Sequence, residues 1–299
     1  MRYILCFITF MLSTLSIAQE KAVSYIFISN DNSRQSSIKQ YIGYETILIH
    51  PKKNSDMTLD IKTLIGERYY FYDDIYDNYI DARTSINYKY NKNWSTNLNL
   101  SILSSNEWSP ILFDGIIRYN NKKISIELYK ERESVGTPIT NNLKYISSFT
   151  GISIDYLLTK QFTISNGITH NSISDGNSRW YQNSRFIYTL NNDKSYFDIK
   201  LRHMYGSDWS RYYFSPNYIN QYIIGYGLYK SFYYDKLNTK VYIGIGLQEI
   251  DKDYIKMFNF DIKESFKLKS KLNGDIIINI RSLDKYIYNT LTINIYYVF

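Results

Sequence analysis

The chain has 299 residues, 17% of them aromatic with 33 tyrosines, and a formal charge of +7. That charge is modest and spread along the chain, so it gives no ground for a nucleic-acid partner. One cysteine, Cys6, and three histidines, His50, His170 and His203, leave no cluster with metal-ligand spacing, so no metal or other cofactor is expected.

Residues 1–18 read as a secretory leader. Met1-Arg2 is a short positive region, Tyr3 to Ile17 is apolar, and Ser16-Ile17-Ala18 offers small residues for cleavage before Gln19. The apolar run is shorter than the roughly twenty residues that a membrane-spanning helix needs. Cys6 would leave with the leader, so the mature chain would hold no thiol. From 19 to 299 there are four prolines and no Gly/Ser-rich linker, which predicts one continuous domain.

In that domain apolar and polar residues alternate with period two. Strands are predicted at about 22–30, 38–50, 57–72, 78–90, 94–104, 110–119, 122–131, 142–159, 160–173, 179–190, 194–206, 218–234, 238–250, 254–268, 270–283 and 285–299. Ile80, Ala82, Thr84, Ile86 and Tyr88 share one face, with Asp81, Arg83 and Lys89 on the other. Farther along, Asp114 and Arg118 oppose Ile111, Phe113 and Ile117. Asp198, Lys200 and Arg202 oppose Phe197, Ile199 and Leu201, while Asp275 and Arg281 oppose Ile276, Ile278 and Ile280. The last strand alternates from Ile287 to an aromatic terminus, Phe299, which reads as a signal to a barrel-assembly machinery.

Charges on one face and almost none on the other exclude an open sheet in lipid. They fit an all-β, transmembrane, antiparallel up-and-down barrel of about 16 strands (14–16), with the charged face lining the lumen. The abundant aromatics are expected in interfacial girdles. A soluble sandwich behind a leader is the competing architecture. Connections after even strands are mostly short, such as Asn120-Asn121. Several after odd strands are longer, notably 104–109, 132–141 and 207–217, as for periplasmic turns and external loops.

Two loop motifs carry a family resemblance. Ser174-Asp175-Gly176-Asn177-Ser178-Arg179-Trp180 follows the ninth predicted strand, and Tyr213-Phe214-Ser215-Pro216-Asn217-Tyr218 precedes the twelfth. Over residues 160–299 their order and separation resemble the barrels of exopolysaccharide-export porins. These include poly-N-acetylglucosamine and cellulose export barrels and stand-alone YaiO-type barrels. The resemblance implies a bacterial outer-membrane location and passage or secretion of a saccharide polymer, or an accessory role in it. It also implies a separate periplasmic tetratricopeptide partner, since no 34-residue helical repeat is present here. Read from their own residues, Asp175-Gly176 favours a tight turn and Phe214-Ser215-Pro216 a rigid loop.

Two other readings stand beside this one. His170 and Ser172 lie two apart on one face and resemble the His-x-Ser pair of outer-membrane phospholipase A, with Asn183 on the next strand as the third group. That would make a lipid-acting hydrolase, although Ile173-Ser174 departs from that family's Asn-Gly. The other is a structural or adhesion barrel plugged by its own charges. The expectation is that the protein is not an enzyme.

Overall fold

The computed structural model describes residues 18–31, 35–49, 57–72, 75–105, 107–136, 138–190, 194–208, 210–232, 236–269, 272–283 and 286–298. The expected leader up to residue 17, His50 and Phe299 lie outside the described residues.

Sixteen strands form one sheet. They are β1 (Ala18–Asp31), β2 (Gln35–Ile49), β3 (Thr58–Tyr72), β4 (Ile75–Lys89), β5 (Trp94–Ser104), β6 (Ile111–Asn120), β7 (Ile124–Ser134), β8 (Ile146–Leu157), β9 (Phe162–Ile173), β10 (Ser178–Thr189), β11 (Ser195–Gly206), β12 (Tyr218–Phe232), β13 (Leu237–Ile250), β14 (Asp253–Lys269), β15 (Leu272–Leu283) and β16 (Tyr286–Val298). Each pairs antiparallel with its chain neighbours, and β1 closes on β16 from Lys21 against Val298 to Asp31 against Tyr288. Closure leaves no strand edge unpaired, which is the condition for a sheet to sit in hydrocarbon.

The even-numbered residues of β12 show why the sheet suits lipid. Tyr222, Ile224, Tyr226 and Leu228 are exposed, while Ile223, Gly225 and Gly227 between them are buried. Around the barrel the exposed band is aliphatic at mid-height, with Leu98, Leu100, Ile152, Ile154, Ile199, Ile224 and Ile245. Aromatics flank it at both ends. Tyr88 packs on Tyr90 and Trp94 on Tyr119 at the short-turn end. Tyr69 stacks on Phe71 at the other end, near exposed Tyr76, Trp180, Tyr205 and Tyr254. The outer face also carries Lys130, Arg132 and Lys256, all in the half nearer the long loops, where long basic stems can reach the headgroup level.

One expected element is corrected. The strand predicted from 142 begins at Ile146, because Pro138–Asn142 form a single-turn helix, α1. Proline suits a first helical position, where its missing N–H leaves no bond unmade. Pro138, Thr140 and Asn141 are buried, so the connection from β7 to β8 folds inward over the barrel mouth.

Candidate functional site

The lumen divides into two unlike halves. On the β2–β7 side it is filled. Arg68 of β3 is fully buried and donates to Asp81 of β4, to Glu133 of β7 and, at 3.3 Å, to Ser101 of β5. Tyr41 of β2 donates to the same Asp81 at 2.6 Å, and the Arg83 guanidinium lies 5.2 Å from the Tyr41 ring. Glu133 stands four strands from Arg68 in the sheet order, so this network draws the wall in on itself. Toward the long-loop end it continues as an apolar cluster of Tyr70, Tyr79, Leu103 and Leu112, against which Trp108 and Ile146 pack. Asp114 accepts from Asn99 at 2.6 Å, Arg118 pairs with Glu127, and Lys89 ends β4 at the short-turn rim.

From β7 round to β15 the lumen holds open space. Two cavities of about 580 Å³ each share Arg185 and Lys200 as lining. Asp198 lies fully buried beneath them. It accepts from Arg185 at 2.6 Å and from the Tyr242 hydroxyl at 3.0 Å, with the Lys200 ammonium 3.7 Å away. Lys200 also sits 3.7 Å from the centre of the Tyr242 ring, and Arg185 lies 5.5 Å from that of Tyr196. These rings fit because β12 offers glycine beneath them. A side chain at Gly225 would overlap the Tyr242 hydroxyl, and one at Gly227 would overlap Tyr196. Arg202 feels the positive charges of Arg281 and Arg185, and Lys263 lies 3.7 Å from Asp275.

The two loop motifs meet at the mouth. Tyr213 donates to the Asp175 carboxylate at 2.6 Å, and Asn177 donates to the Asp208 carbonyl at 2.7 Å. Arg179 donates to the Phe214 carbonyl at 2.6 Å while its guanidinium lies 5.1 Å from the Tyr213 ring. Gly176 has φ +96°, which the Asp-Gly turn requires. Tyr145, from the connection carrying α1, packs edge-on against Tyr212 and Tyr213. The described residues of 174–179, 207–217 and 135–145 thus form one interlocked collar. Ser215 and Pro216 are buried in it, Phe214 is exposed, and Trp180 faces outward on β10.

The hydrolase set does not come together. His170 and Ser172 face outward, where His170 packs on Trp180 at 4.6 Å. Asn183 pairs with Gly167 and lines the lumen cavity, so it lies on the opposite face of the sheet from His170. Alternation forbids it from reaching outward. The histidine that does meet an asparagine is His203, whose Nδ1 lies 2.7 Å from Asn220, itself donating to Glu249 at 2.8 Å. This outward-facing row was not singled out in the sequence, because its members come from three strands whose register is not written in any one of them. Among the described residues no group of three or more His, Cys, Asp or Glu could hold a metal ion.

Neither a family model nor a curated protein sequence matches the chain. Solved structures match its fold. A bacterial polysaccharide outer membrane secretin aligns at a TM-score of 0.73 with 10% identity, over 95% of this chain and 98% of that one. Two Pseudomonas aeruginosa proteins align more loosely. The outer membrane protein OpdK reaches 0.51 at 10% identity, over 95% of this chain and 100% of its own. OccK7 reaches 0.50 at 11%, over 94% and 98%. At such identities the likeness is one of fold. Together with closure, an apolar band and two aromatic girdles, it gives the location as well. The chain is a sixteen-stranded, porin-like β-barrel of the bacterial outer membrane.

Proposed function

We propose that the barrel passes a saccharide polymer across the outer membrane, or serves as an accessory in its export, and is not an enzyme. The observation that carries this is the open half of the lumen. Its two cavities are lined by Tyr129, Tyr181, Tyr196, Tyr229 and Tyr242 beside hydrogen-bonding Asn183, Gln221 and Asn279. Sugar rings pack on aromatic faces, and hydroxyl-rich chains exchange their water for such polar partners. The whole-length likeness to a polysaccharide secretin supports the same reading. A separate periplasmic tetratricopeptide protein would deliver the polymer, and the barrel-assembly machinery would insert the chain through its C-terminal strand. Planar-bilayer recording tests the proposal: the protein should conduct, and saccharide oligomers added to one side should interrupt the current. A conducting protein whose current ignores oligosaccharides would contradict it.

The filled half favours one second reading, a structural or adhesion barrel whose lumen is plugged by the Arg68 network. That reading predicts no conductance at all.

A further inference from the structure

The lumen charges are sorted by wall. On the filled side carboxylates face the cations: Arg68 and Arg83 meet Asp81, Arg68 also meets Glu133, and Arg118 meets Glu127, with Lys39, Lys62 and Lys89 on the same inner wall. Glu131 adds a further carboxylate there. On the open side the two cavities are lined by Arg185, Lys194, Lys200, Arg202, Lys240 and Lys263, with Asp261 as the one carboxylate in either lining. Asp198 lies under them, fully buried, held by Arg185, Lys200 and the Tyr242 hydroxyl, and Lys263 lies 3.7 Å from Asp275, so cations still outnumber carboxylates on this wall.

The register turns these cations into a climbing series. Lys240 sits between Tyr229 and Lys263 in neighbouring strands, near the short-turn end. Lys200 stands at mid-height opposite Arg185, and Arg202 is the next inward residue toward the mouth, where Arg179 belongs to the collar. Inward residues on a strand recur every ~7 Å. Positive charge is therefore offered repeatedly along the path, with the Tyr196, Tyr242 and Tyr229 rings beside it.

From this arrangement we infer that the open half of the lumen is a track for an acidic saccharide polymer, held by the Arg185, Lys200, Arg202, Lys240 and Lys263 cations and by the adjoining tyrosine rings. The inference rests on the reading of the barrel as a saccharide passage and adds the charge class of the cargo. Repeated weak contacts suit movement, since an anionic chain can pass from one cation to the next without being trapped at a single deep site. Carboxylate and phosphate substituents share this chemistry.

The test uses the folded barrel in a planar bilayer under a potassium chloride gradient. The reversal potential should show anion preference. Oligogalacturonate or phosphorylated malto-oligosaccharide should block at a concentration at least tenfold below that of a neutral cello-oligosaccharide of equal length, and the stronger of the two identifies the anionic group. In Arg202→Gln/Lys240→Gln/Lys263→Gln the preference should fall to within about twofold. Removing equal charge from other lumen positions, in Lys39→Gln/Lys62→Gln/Lys89→Gln, should leave it in place. A cation-preferring channel, equal block by neutral oligomers, or equal loss in both triple variants would overturn the track while leaving the passage intact. Absence of any current would overturn the passage itself and the track with it. The reversal potential of the unaltered protein decides the matter even if a variant fails to fold.

Discussion

The Tyr213 hydroxyl donates to the Asp175 carboxylate at 2.6 Å, joining the loop before β12 to the turn after β9 across 38 residues of sequence. Through this bond, and the neighbouring bonds of Arg179 and Asn177, two short motifs that look separate in the sequence hold one collar. Removing the hydroxyl in Tyr213→Phe should cost about 1.5–3 kcal/mol of local stability, the range for a hydrogen bond to a charged group. Trypsin cleavage after Arg211, in the same loop, should quicken several-fold in the folded protein. An unchanged cleavage rate would mean the collar is held by other contacts.

The same pair gives a pH dependence. Burial, and then the Asp175 carboxylate, push the Tyr213 phenol up to about 12, against roughly 10 in an unfolded chain. The folded protein holds this proton more tightly, so the contribution is whole below about pH 10 and disappears as pH rises through about 12. The difference titration of tyrosinate absorbance between wild type and Tyr213→Phe should have its midpoint near pH 12. A midpoint near pH 10 would place the phenol in open water.

Arg68 is the buried charge on which the filled half depends. Arg68→Met takes from the fully buried Asp81 carboxylate its nearest cation, leaving only Arg83 at 3.9 Å. Breaking a buried pair in this way costs about 3–5 kcal/mol. Guanidinium unfolding of the detergent-solubilised protein should shift accordingly, and conductance should rise as the wall relaxes outward. Unchanged stability would show that water already reaches the pair.

Gly225 tests the support of the open half. Gly225→Ala forces the Tyr242 ring away from Asp198, at a cost of about 1–3 kcal/mol. Gly167→Ala meets its nearest neighbours, the Ile152 carbonyl and Ser153 Cβ, at 3.3 Å and should cost less than half as much. Equal costs would separate the glycine from the tyrosine.

Much of this barrel is legible in its sequence, because the two faces of most strands differ in kind. In β11 alternation alone sets Asp198, Lys200 and Arg202 against Phe197, Ile199 and Leu201. The fold boundaries follow closely for the same reason: β5, predicted at 94–104, is Trp94–Ser104. Arg68 was not legible. Its half of β3 has Leu64, Arg68 and Tyr70 on one face and Ile65, Glu67, Tyr69 and Phe71 on the other, so both faces mix apolar and charged groups. Its partner Glu133 lies four strands away, a closeness set by how far the wall bends rather than by any local spacing. Asn183 misled for a related reason. The resemblance asks for an asparagine on the strand after His170, and only the register, pairing Asn183 with Gly167, shows that it points the other way.

The central claim is that one face of this sheet meets lipid and the other a water-filled lumen. The most direct measurement is cysteine accessibility in liposomes, on a background in which Cys6 is absent. Single cysteines at Asn183, Lys240 and Asn279 should react with a charged, water-soluble thiol reagent, and those at Ile168, Ile224 and Ile245 only with a lipid-soluble one. Equal reaction of both sets with the charged reagent would contradict the account.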